Sequence, residues 1–144
     1  MRVSECMTPQ VRMAGPDETI RQAAEMMAEA DAGALPVAEN DRLVGMITDR
    51  DIAVRAVAEG KGPEAKVRDV MTAQVRYCYE DETVEDVLRN MADIRVRRLP
   101  VLNREKRLVG IVSLGDLATS GMATEAGNAL SGISTPGGGH SQKH

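Results

Sequence analysis

At 144 residues the chain is long enough for one ordinary domain with a single core, and its 42% hydrophobic and 28% charged residues are typical of a globular protein. A formal net charge of −4 and a pI near 5.2 argue against a nucleic-acid binder that relies on bulk positive charge. Trp and Phe are absent and Tyr occurs twice, so Val, Leu, Ile, Met and Ala must build the core.

The cysteines, the histidines and the apolar runs bear on location and chemistry. Cys6 and Cys78 are not closely spaced and no secretory hydrophobic region follows Met1, so we expect a reducing cytoplasm. No apolar run approaches the roughly 18 residues of a membrane-spanning helix, so we expect no membrane association. His140 and His144 lie near the C-terminus, which leaves the rest of the chain without the commonest general base and zinc ligand.

The chain is an internal repeat. Two copies of one supersecondary unit occupy residues 1–60 and 67–122, with a linker over residues 61–66. Residues 123–144 are rich in Gly, Ser, Thr and Pro, which predicts a flexible tail. The matching segments are Met7-Thr8 and Met71-Thr72, Asp17-Glu18-Thr19 and Asp81-Glu82-Thr83, Leu35-Pro36-Val37 and Leu99-Pro100-Val101, and Arg42-Leu43-Val44-Gly45 and Arg107-Leu108-Val109-Gly110.

Each copy begins with a predicted short strand followed by a helix. We expect the strand over Val11–Met13 in the first copy and over Val75–Cys78 in the second. Thr19 and Thr83 are suitable N-cap residues for the helices, whose apolar residues recur at helical spacing. The apolar positions are Ile20, Ala23, Ala24 and Met27 in the first copy and Val84, Val87, Leu88 and Met91 in the second.

The remainder of each copy predicts an antiparallel hairpin and a final helix. Each Leu-Pro-Val segment starts a strand, and a polar turn leads to a second strand at Leu43–Ile47 or Leu108–Val112. One copy has too little apolar surface to be stable alone. We therefore expect an α+β (α/β) fold of tandem β-α-β-β-α repeats, packed sheet to sheet with pseudo-two-fold symmetry. The apolar residues expected on the final helices are Ile52, Ala53, Ala56 and Val57, and Leu117.

Two strand-to-helix junctions carry the most specific motif. The segments 45-GMITDRD-51 and 110-GIVSLGD-116 share a glycine, two apolar residues, a hydroxyl residue and an aspartate. With the repeated Met-Thr, Asp-Glu-Thr and Leu-Pro-Val segments, they resemble the cystathionine-β-synthase-type (CBS) domain pair, or Bateman module. The resemblance covers nearly everything up to Met122. The chain is similar to the small stand-alone bacterial proteins of this family.

The resemblance implies that an adenosine nucleotide binds in a cleft between the repeats, with AMP, ADP and ATP first and NAD or S-adenosylmethionine as further candidates. The motif aspartate then accepts hydrogen bonds from the ribose hydroxyls, and the motif Thr or Ser bonds the first phosphate. By position, Thr48 and Asp51 belong to one site, and Ser113 and Asp116 to the other. The roles suit the groups, because a carboxylate can accept from a cis-diol while a hydroxyl and N–H groups at a helix start suit an anion.

The resemblance also implies that adenine contacts come from the opposite repeat. The expected positions are Thr8, Gly33 and Ala34 for the Asp116 site, and Thr72 and Val96 with the adjoining arginines for the Asp51 site.

The family pattern further implies that the two sites are unequal. The two residues before Leu-Pro-Val often supply a basic group to the phosphates of their own repeat's site. These residues are Arg97 and Arg98 in the second repeat but Gly33-Ala34 in the first. Arg50 lies inside the first motif and restores some positive charge there. We predict that the Asp116 site is the better phosphate binder.

Simpler interpretations apply to the same residues. Asp51 and Asp116 also suit the first turn of a helix, where a negative charge interacts favourably with the helix dipole. Thr48 and Ser113 also suit N-cap positions, and capping does not exclude ligand binding.

Metal and nucleic-acid sites have weaker support. Asp49 beside Asp51 suggests a metal site, but Leu114 replaces Asp49 in the second copy and no His is near. A basic cluster late in the second copy suggests nucleic acid, but the chain is acidic and we expect no stackable aromatic nearby. We therefore expect neither ligand. The basic cluster contains Arg95, Arg97, Arg98, Arg104, Lys106 and Arg107.

The sequence therefore favours a non-enzymatic nucleotide sensor that changes its dimer geometry or its affinity for a downstream protein partner. The resemblance implies a homodimer, with apolar positions at Ile52–Val57 and Leu114–Met122 in the interface. A ligand-free dimeric interaction or scaffold protein is the alternative from another class. A nucleotide hydrolase ranks third, because Thr48 and Ser113 have only acids and arginines as near neighbours in the sequence.

Overall fold

The computed structural model describes residues 1–9, 11–94 and 96–119. Its mixture of helices and strands confirms the α+β class. Turns of 3-10 helix lie at Val3–Glu5 and Val67–Asp69, and a π-helix over Ile52–Val57 directly follows the short α-helix Asp49–Asp51. In chain order the other elements are β1 (Thr8–Pro9), α1 (Ile20–Ala30), β2 (Ala34–Glu39), β3 (Arg42–Thr48), α2 (Asp49–Asp51), β4 (Cys78–Tyr79), α3 (Val84–Ile94), β5 (Arg98–Leu102), β6 (Leu108–Ser113) and α4 (Leu114–Thr119).

The chain forms two compact units whose limits differ from those of the sequence repeats. The central unit consists of Arg12–Val75, and the terminal unit combines Met1–Val11 with the chain from Arg76 onward. Each unit has its own cluster of buried apolar residues. The segment predicted as a linker lies within the central unit, where the Ala65 carbonyl accepts a hydrogen bond from the Ile20 N–H at 2.8 Å. The predicted tail over residues 123–144 lies outside the described residues.

The central unit is built on the predicted hairpin. Strands β2 and β3 pair antiparallel from Ala34 opposite Thr48 to Glu39 opposite Arg42. The strand expected over Val11–Met13 is wrong, because the pairing there consists of an isolated parallel bridge at Ala14. This segment has no second hydrogen-bonded neighbour among the described residues to extend the bridge into a strand.

The terminal unit has a four-stranded sheet in the order β1-β6-β5-β4. Strands β5 and β6 form the second predicted hairpin, and β4 joins β5 in parallel. The strand predicted over Val75–Cys78 is shifted, since β4 begins at Cys78. Strand β1 was not predicted, because two residues that include a proline carry no alternating pattern. The hairpins of both units have an irregularity at the same place, after Val37 and after Val101.

Each Met-Thr segment packs on the hairpin of the other sequence copy. Thr8 pairs with Ile111 in the terminal unit, and Thr72 pairs with Met46 in the central unit. This pairing explains the motif glycines. A Cβ atom at Gly110 would lie 2.6 Å from the Thr8 carbonyl oxygen, and one at Gly45 would lie 2.7 Å from that of Thr72. The glycine at the start of each motif is therefore the residue that admits the incoming Met-Thr backbone.

The apolar faces of α1 and α3 form the cores as predicted, with one exception. Ala24 is exposed, whereas Leu88 at the equivalent position of α3 is buried, because a methyl group is too short to reach the core from there. On the π-helix, Ala56 is buried, whereas Ala53 and Val57 are exposed in the segment where apolar interface positions were expected. The other predicted core positions of α1 and α3 are buried: Ile20, Ala23, Met27, Val84, Val87, Leu88 and Met91.

The predicted helix caps are present. Thr19 Oγ1 accepts the Gln22 N–H at 3.1 Å, while Gln22 Oε1 accepts the Thr19 N–H at 2.9 Å. At α3, Thr83 Oγ1 accepts the Asp86 N–H at 3.2 Å. These bonds satisfy N–H groups that have no partner inside the helix.

Thr19→Ala is expected to lower the free energy of unfolding by about 1 kcal/mol, because it removes the cap acceptor of the Gln22 N–H. Thr19→Ser keeps the hydroxyl and is expected to retain most of the wild-type stability. Urea denaturation of the three proteins provides the measurement. Equal losses in the alanine and serine variants would show that the hydroxyl contributes nothing as a cap.

Candidate functional site

The first junction is a buried reciprocal cap. Asp51 Oδ2 accepts the Thr48 N–H at 3.0 Å, and Thr48 Oγ1 accepts the Asp51 N–H at 3.0 Å. Thr48 is 4% exposed and Asp51 is 2% exposed. The two residues are therefore held in one geometry by hydrogen bonds that are buried away from water.

The second junction repeats this arrangement with greater exposure. Asp116 Oδ2 accepts the Ser113 N–H, and Ser113 Oγ accepts the Asp116 N–H, both at 3.1 Å. Both residues are half-buried. The N-cap interpretation is thus confirmed at both junctions. Since each hydroxyl acts as an acceptor in its cap, its own proton remains available for donation to another group.

The two predicted arginines lie beside the second junction. Arg98 is directly opposite Ser113 in the β5–β6 pairing, and the Arg97 carbonyl accepts the Leu114 N–H at 3.0 Å. Both arginines are exposed. The terminal unit therefore brings a hydroxyl, a carboxylate and two guanidinium-bearing residues to one end of its hairpin.

The same positions around the first junction carry different chemistry. Ala34 is opposite Thr48, and the Gly33 carbonyl accepts the Asp49 N–H at 2.9 Å. A Cβ atom at Gly33 would lie 2.9 Å from Asp49 Oδ2, so the acidic side chain uses the space that the glycine leaves. Arg50 is exposed and is the basic residue of this motif. At the first junction, Asp49 therefore takes the position that Leu114 has at the second, and Gly33 takes the position of Arg97.

The remaining predicted contact residues lie in defined places. Thr8 is exposed on β1, and Thr72 is half-buried opposite Met46. Val96 is 6% exposed and belongs to the core of the terminal unit. Their contacts with adenine, and those of Gly33 and Ala34, stay predictions.

A family model described as CBS domain matches the chain twice, over residues 3–57 and 67–122. The chain belongs to the CBS domain family. It is 43% identical over 133 residues to the CBS domain-containing protein YhcV of Bacillus subtilis strain 168, a match that spans 92% of this chain and 94% of the relative. The resemblance inferred from the repeated motifs is confirmed.

Solved structures of CBS proteins share the fold. The crystal structure of CBSX2 in complex with AMP has a TM-score of 0.73 and 25% identity, covering 86% of this chain and 98% of that one. The CBS domain pair of protein MJ0100 in complex with 5-methylthioadenosine and S-adenosyl-L-methionine has a TM-score of 0.74 and 27% identity, with the same coverages.

Arg55 is a residue of the first CBS motif region that sequence reasoning missed. Its Nη1 atom donates to the Met71 carbonyl at 3.2 Å and to Thr72 Oγ1 at 3.3 Å, and it lies 3.9 Å from Asp51 Oδ1. The signal available was its position four residues after Asp51, which places the two charges on one helix face. The contacts with Met71 and Thr72 are distant in sequence and gave no signal.

Cys6 is a second residue near a CBS motif that the sequence did not indicate. Burial raises the pKa of this thiol, and the negative charges of Asp116 and Glu5 raise it further. Cys6 packs against the apolar core of the terminal unit. Cys6 and Cys78 are free thiols.

The basic cluster of the second CBS repeat differs from the expectation in one respect. The Arg104 guanidinium carbon lies 4.1 Å from the ring centroid of Tyr79, so an aromatic residue is nearby after all. Arg104 also donates to both carboxylate oxygens of Asp81, at 2.8 and 2.9 Å, and thereby lowers the pKa of that carboxyl. These contacts assign Arg104 to a local structural pair.

Two features are absent from the described part of the chain, a metal-ligand cluster and a membrane-spanning helix. This part contains no group of three or more His, Cys, Asp or Glu residues placed to hold a metal ion. Within the same residues, each helix is too short or too polar to cross a bilayer.

Proposed function

We propose that this chain is a non-catalytic regulatory module of the cytoplasm that binds an adenosine nucleotide at the Ser113–Asp116 junction. The observation that carries the proposal is the convergence of Ser113, Asp116, Arg97 and Arg98 at one end of the terminal-unit hairpin. A second hydroxyl residue, Thr8, is on the strand next to β6. These groups match the polar parts of a nucleoside phosphate.

Each part of the ligand has a chemical counterpart at this junction. The Asp116 carboxylate suits the ribose hydroxyls, because a carboxylate is an acceptor that can receive bonds from both hydroxyls of a cis-diol. The Ser113 hydroxyl can donate to a phosphate oxygen while it still accepts the Asp116 N–H. Arg97 and Arg98 supply positive charge, and guanidinium groups bind phosphate oxygens with charge-assisted hydrogen bonds.

The nature of the ligand is supported by the solved relatives. CBSX2 is in complex with AMP, and the MJ0100 domain pair is in complex with 5-methylthioadenosine and S-adenosyl-L-methionine. Adenosine is common to all three compounds. AMP and ATP are the first ligands to test here because of the two arginines, and NAD and S-adenosylmethionine follow.

Signalling is proposed to proceed through a homodimer and a downstream protein partner. Val54 is 45% exposed and Val57 is 66% exposed on the π-helix, which is favourable for contact with a second copy. The Leu114–Met122 part of the predicted interface extends beyond the described residues. A nucleotide transmits a signal only if it binds one state of the assembly more tightly than another.

The exposed valines also support a second candidate function, a ligand-free dimeric scaffold. Nucleotide-dependent stabilisation distinguishes it from a sensor. Phosphate release from ATP would instead support hydrolysis, for which the junction hydroxyls have no histidine base among the described residues.

AMP at about one hundred times its Kd is expected to raise the free energy of unfolding by roughly 2.7 kcal/mol. Asp116→Ala is expected to remove most of this gain, because the ribose loses its acceptor. The measurement is denaturant unfolding of both proteins with and without AMP, at one AMP concentration of about one hundred times the calorimetric Kd of the wild type. A full gain in the Asp116→Ala protein would refute the proposed site, and no gain in the wild-type protein would favour the scaffold.

Arg98→Ala is expected to raise the Kd for AMP roughly tenfold or more, since a charge-assisted hydrogen bond to the phosphate is lost. The Kd for adenosine is expected to change little. Arg89→Ala is the matched control, because Arg89 is an exposed arginine of α3 that pairs with Asp86 at 3.1 Å. If Arg98→Ala raises the Kd for AMP and the Kd for adenosine by the same factor, the arginine does not contact phosphate.

A further inference from the structure

Arg55 contacts polar groups that a ligand at the first junction would need as partners. One of its nitrogens contacts the Met71 carbonyl, the Thr72 hydroxyl and, at 3.9 Å, Oδ1 of Asp51. Asp51 and Thr72 were both predicted as ligand residues. A single guanidinium therefore links two predicted binding groups from segments that are distant in sequence.

Asp51 is also buried, whereas Arg55 is partly exposed. The Asp51 side chain is 3% exposed, while that of Arg55 is 43% exposed. Oδ2 accepts the Thr48 N–H, and Oδ1 is the oxygen nearest to Arg55. A ribose diol needs direct access to carboxylate oxygens, and a side chain with 3% exposure does not offer it. Arg55 is the more exposed member of the pair, so its displacement is the step that would give a sugar access to Asp51.

The terminal unit has a different residue at the equivalent position. Arg55 follows Asp51 by four residues, and Ser120 follows Asp116 by four residues in the sequence. A serine side chain has neither the length nor the charge to replace an arginine in such a bridge. Asp116 is also half-buried, in contrast to the buried Asp51.

We propose that Arg55 is an internal occupant of the Thr48–Asp51 site that excludes nucleotide from it. Building on the proposed function, this means that the chain binds one adenosine nucleotide, at Ser113–Asp116, and admits a second only when Arg55 is displaced. Arg55 thus sets the number of nucleotides bound. A partner that offers a carboxylate to Arg55 would release Asp51 and open the second site.

The test is calorimetric titration of the full chain with AMP. The Arg55→Met variant retains a long side chain but removes the charge, and Asp116→Ala silences the terminal-unit site. We expect one AMP in the wild type, none in Asp116→Ala, two in Arg55→Met and one in the double variant. Here none means no saturable binding in the concentration range used, and any residual affinity of Asp116→Ala for AMP is expected to be at least about tenfold lower than that of the double variant, as lost charge-assisted contacts imply.

Controls locate the new binding and separate this proposal from the previous one. Adding Asp51→Ala to the double variant is expected to abolish the gained site, and Arg21→Met, an exposed arginine of α1, is expected to gain none. If wild type binds no AMP but Arg55→Met gains a site, the proposed function at Asp116 fails and the role of Arg55 is upheld. If Arg55→Met gains no site while its circular dichroism and thermal unfolding match the wild type, the role of Arg55 is overturned. Weaker AMP binding in the double variant than in Asp116→Ala would overturn it too, because Arg55 would then be a phosphate ligand.

Discussion

Gly110→Ala is expected to lower the free energy of unfolding by about 2 kcal/mol, as overpacking against a fixed backbone does. The added methyl carbon would lie 2.6 Å from the Thr8 carbonyl oxygen and 2.8 Å from the Met7 sulfur. The Met7 side chain can move aside, but the Thr8 carbonyl is part of the β1–β6 pairing. The N-terminal segment must therefore shift away from β6 or lose that pairing.

Gly115→Ala is the matched control for this substitution. Among the described residues, its methyl group would meet only the Ser113 hydroxyl oxygen, at the ordinary contact distance of 3.6 Å. Since Gly115 lies in α4, alanine is expected to leave the stability unchanged or to raise it by up to about 1 kcal/mol. Urea denaturation measures both variants. A Gly110→Ala protein as stable as Gly115→Ala would show that the Met-Thr segment does not pack tightly on the motif.

The sequence predicted the local structure of each CBS repeat well. The hairpins are specified by Leu-Pro-Val and the polar turns, and the helix starts by Thr19 and Thr83, because these signals act within a few residues. Repetition strengthened the prediction at the junctions, where Thr48 and Ser113 cap the helices in the same way. Local hydrogen bonds of this kind depend on residue type and spacing alone.

The sequence did not predict which segments would assemble into a unit. The Met-Thr segments pair with the hairpins of the other sequence copy, and strands as short as β1 have no periodic pattern. Because the Met-Thr segments of the two copies are identical in sequence, either one could pair with either hairpin. The repeat alone therefore does not show that each segment pairs with the hairpin of the other copy. The close approach of Thr8 to Gly110 and of Thr72 to Gly45 settles the pairing, and such contacts are visible only in three dimensions.

At the candidate sites too, the local arrangement was predicted and the long-range contacts were not. Register placed Arg98 opposite Ser113, as expected from the two residues before Leu-Pro-Val. The closing contacts of Arg55 were missed because Arg55 lies in a π-helix and because Met71 and Thr72 approach from another part of the chain. The inequality of the two sites was predicted from Arg97 and Arg98 and stays a prediction, and the contact of Arg55 with Asp51 is the basis for proposing a second cause.

The largest effect of pH on stability is expected to come from Cys78. Burial raises the pKa of this thiol from 9.0 to about 12, and the negative charges of Glu82 and Cys6 act in the same direction. The side chain is 1% exposed, so the folded protein strongly favours the neutral thiol. In the unfolded chain the thiol ionises near its ordinary pKa. A pKa that is raised on folding adds stability that is complete below about pH 9 and is lost as the pH rises toward 12.

The Cys78→Ala variant isolates this contribution. At pH 8 it is expected to be less stable than the wild type, because a buried sulfur is replaced by a smaller group. Between pH 9 and 11 the wild type is expected to lose about 1.4 kcal/mol per pH unit relative to the variant, so that the difference shrinks and then reverses. Denaturant unfolding of both proteins at each pH provides the measurement, and subtraction removes the titration of Lys and Tyr that the two proteins share. A difference that stays constant from pH 8 to 11 would mean that the Cys78 thiolate is tolerated in the folded core, and that solvent or a positive charge reaches it there.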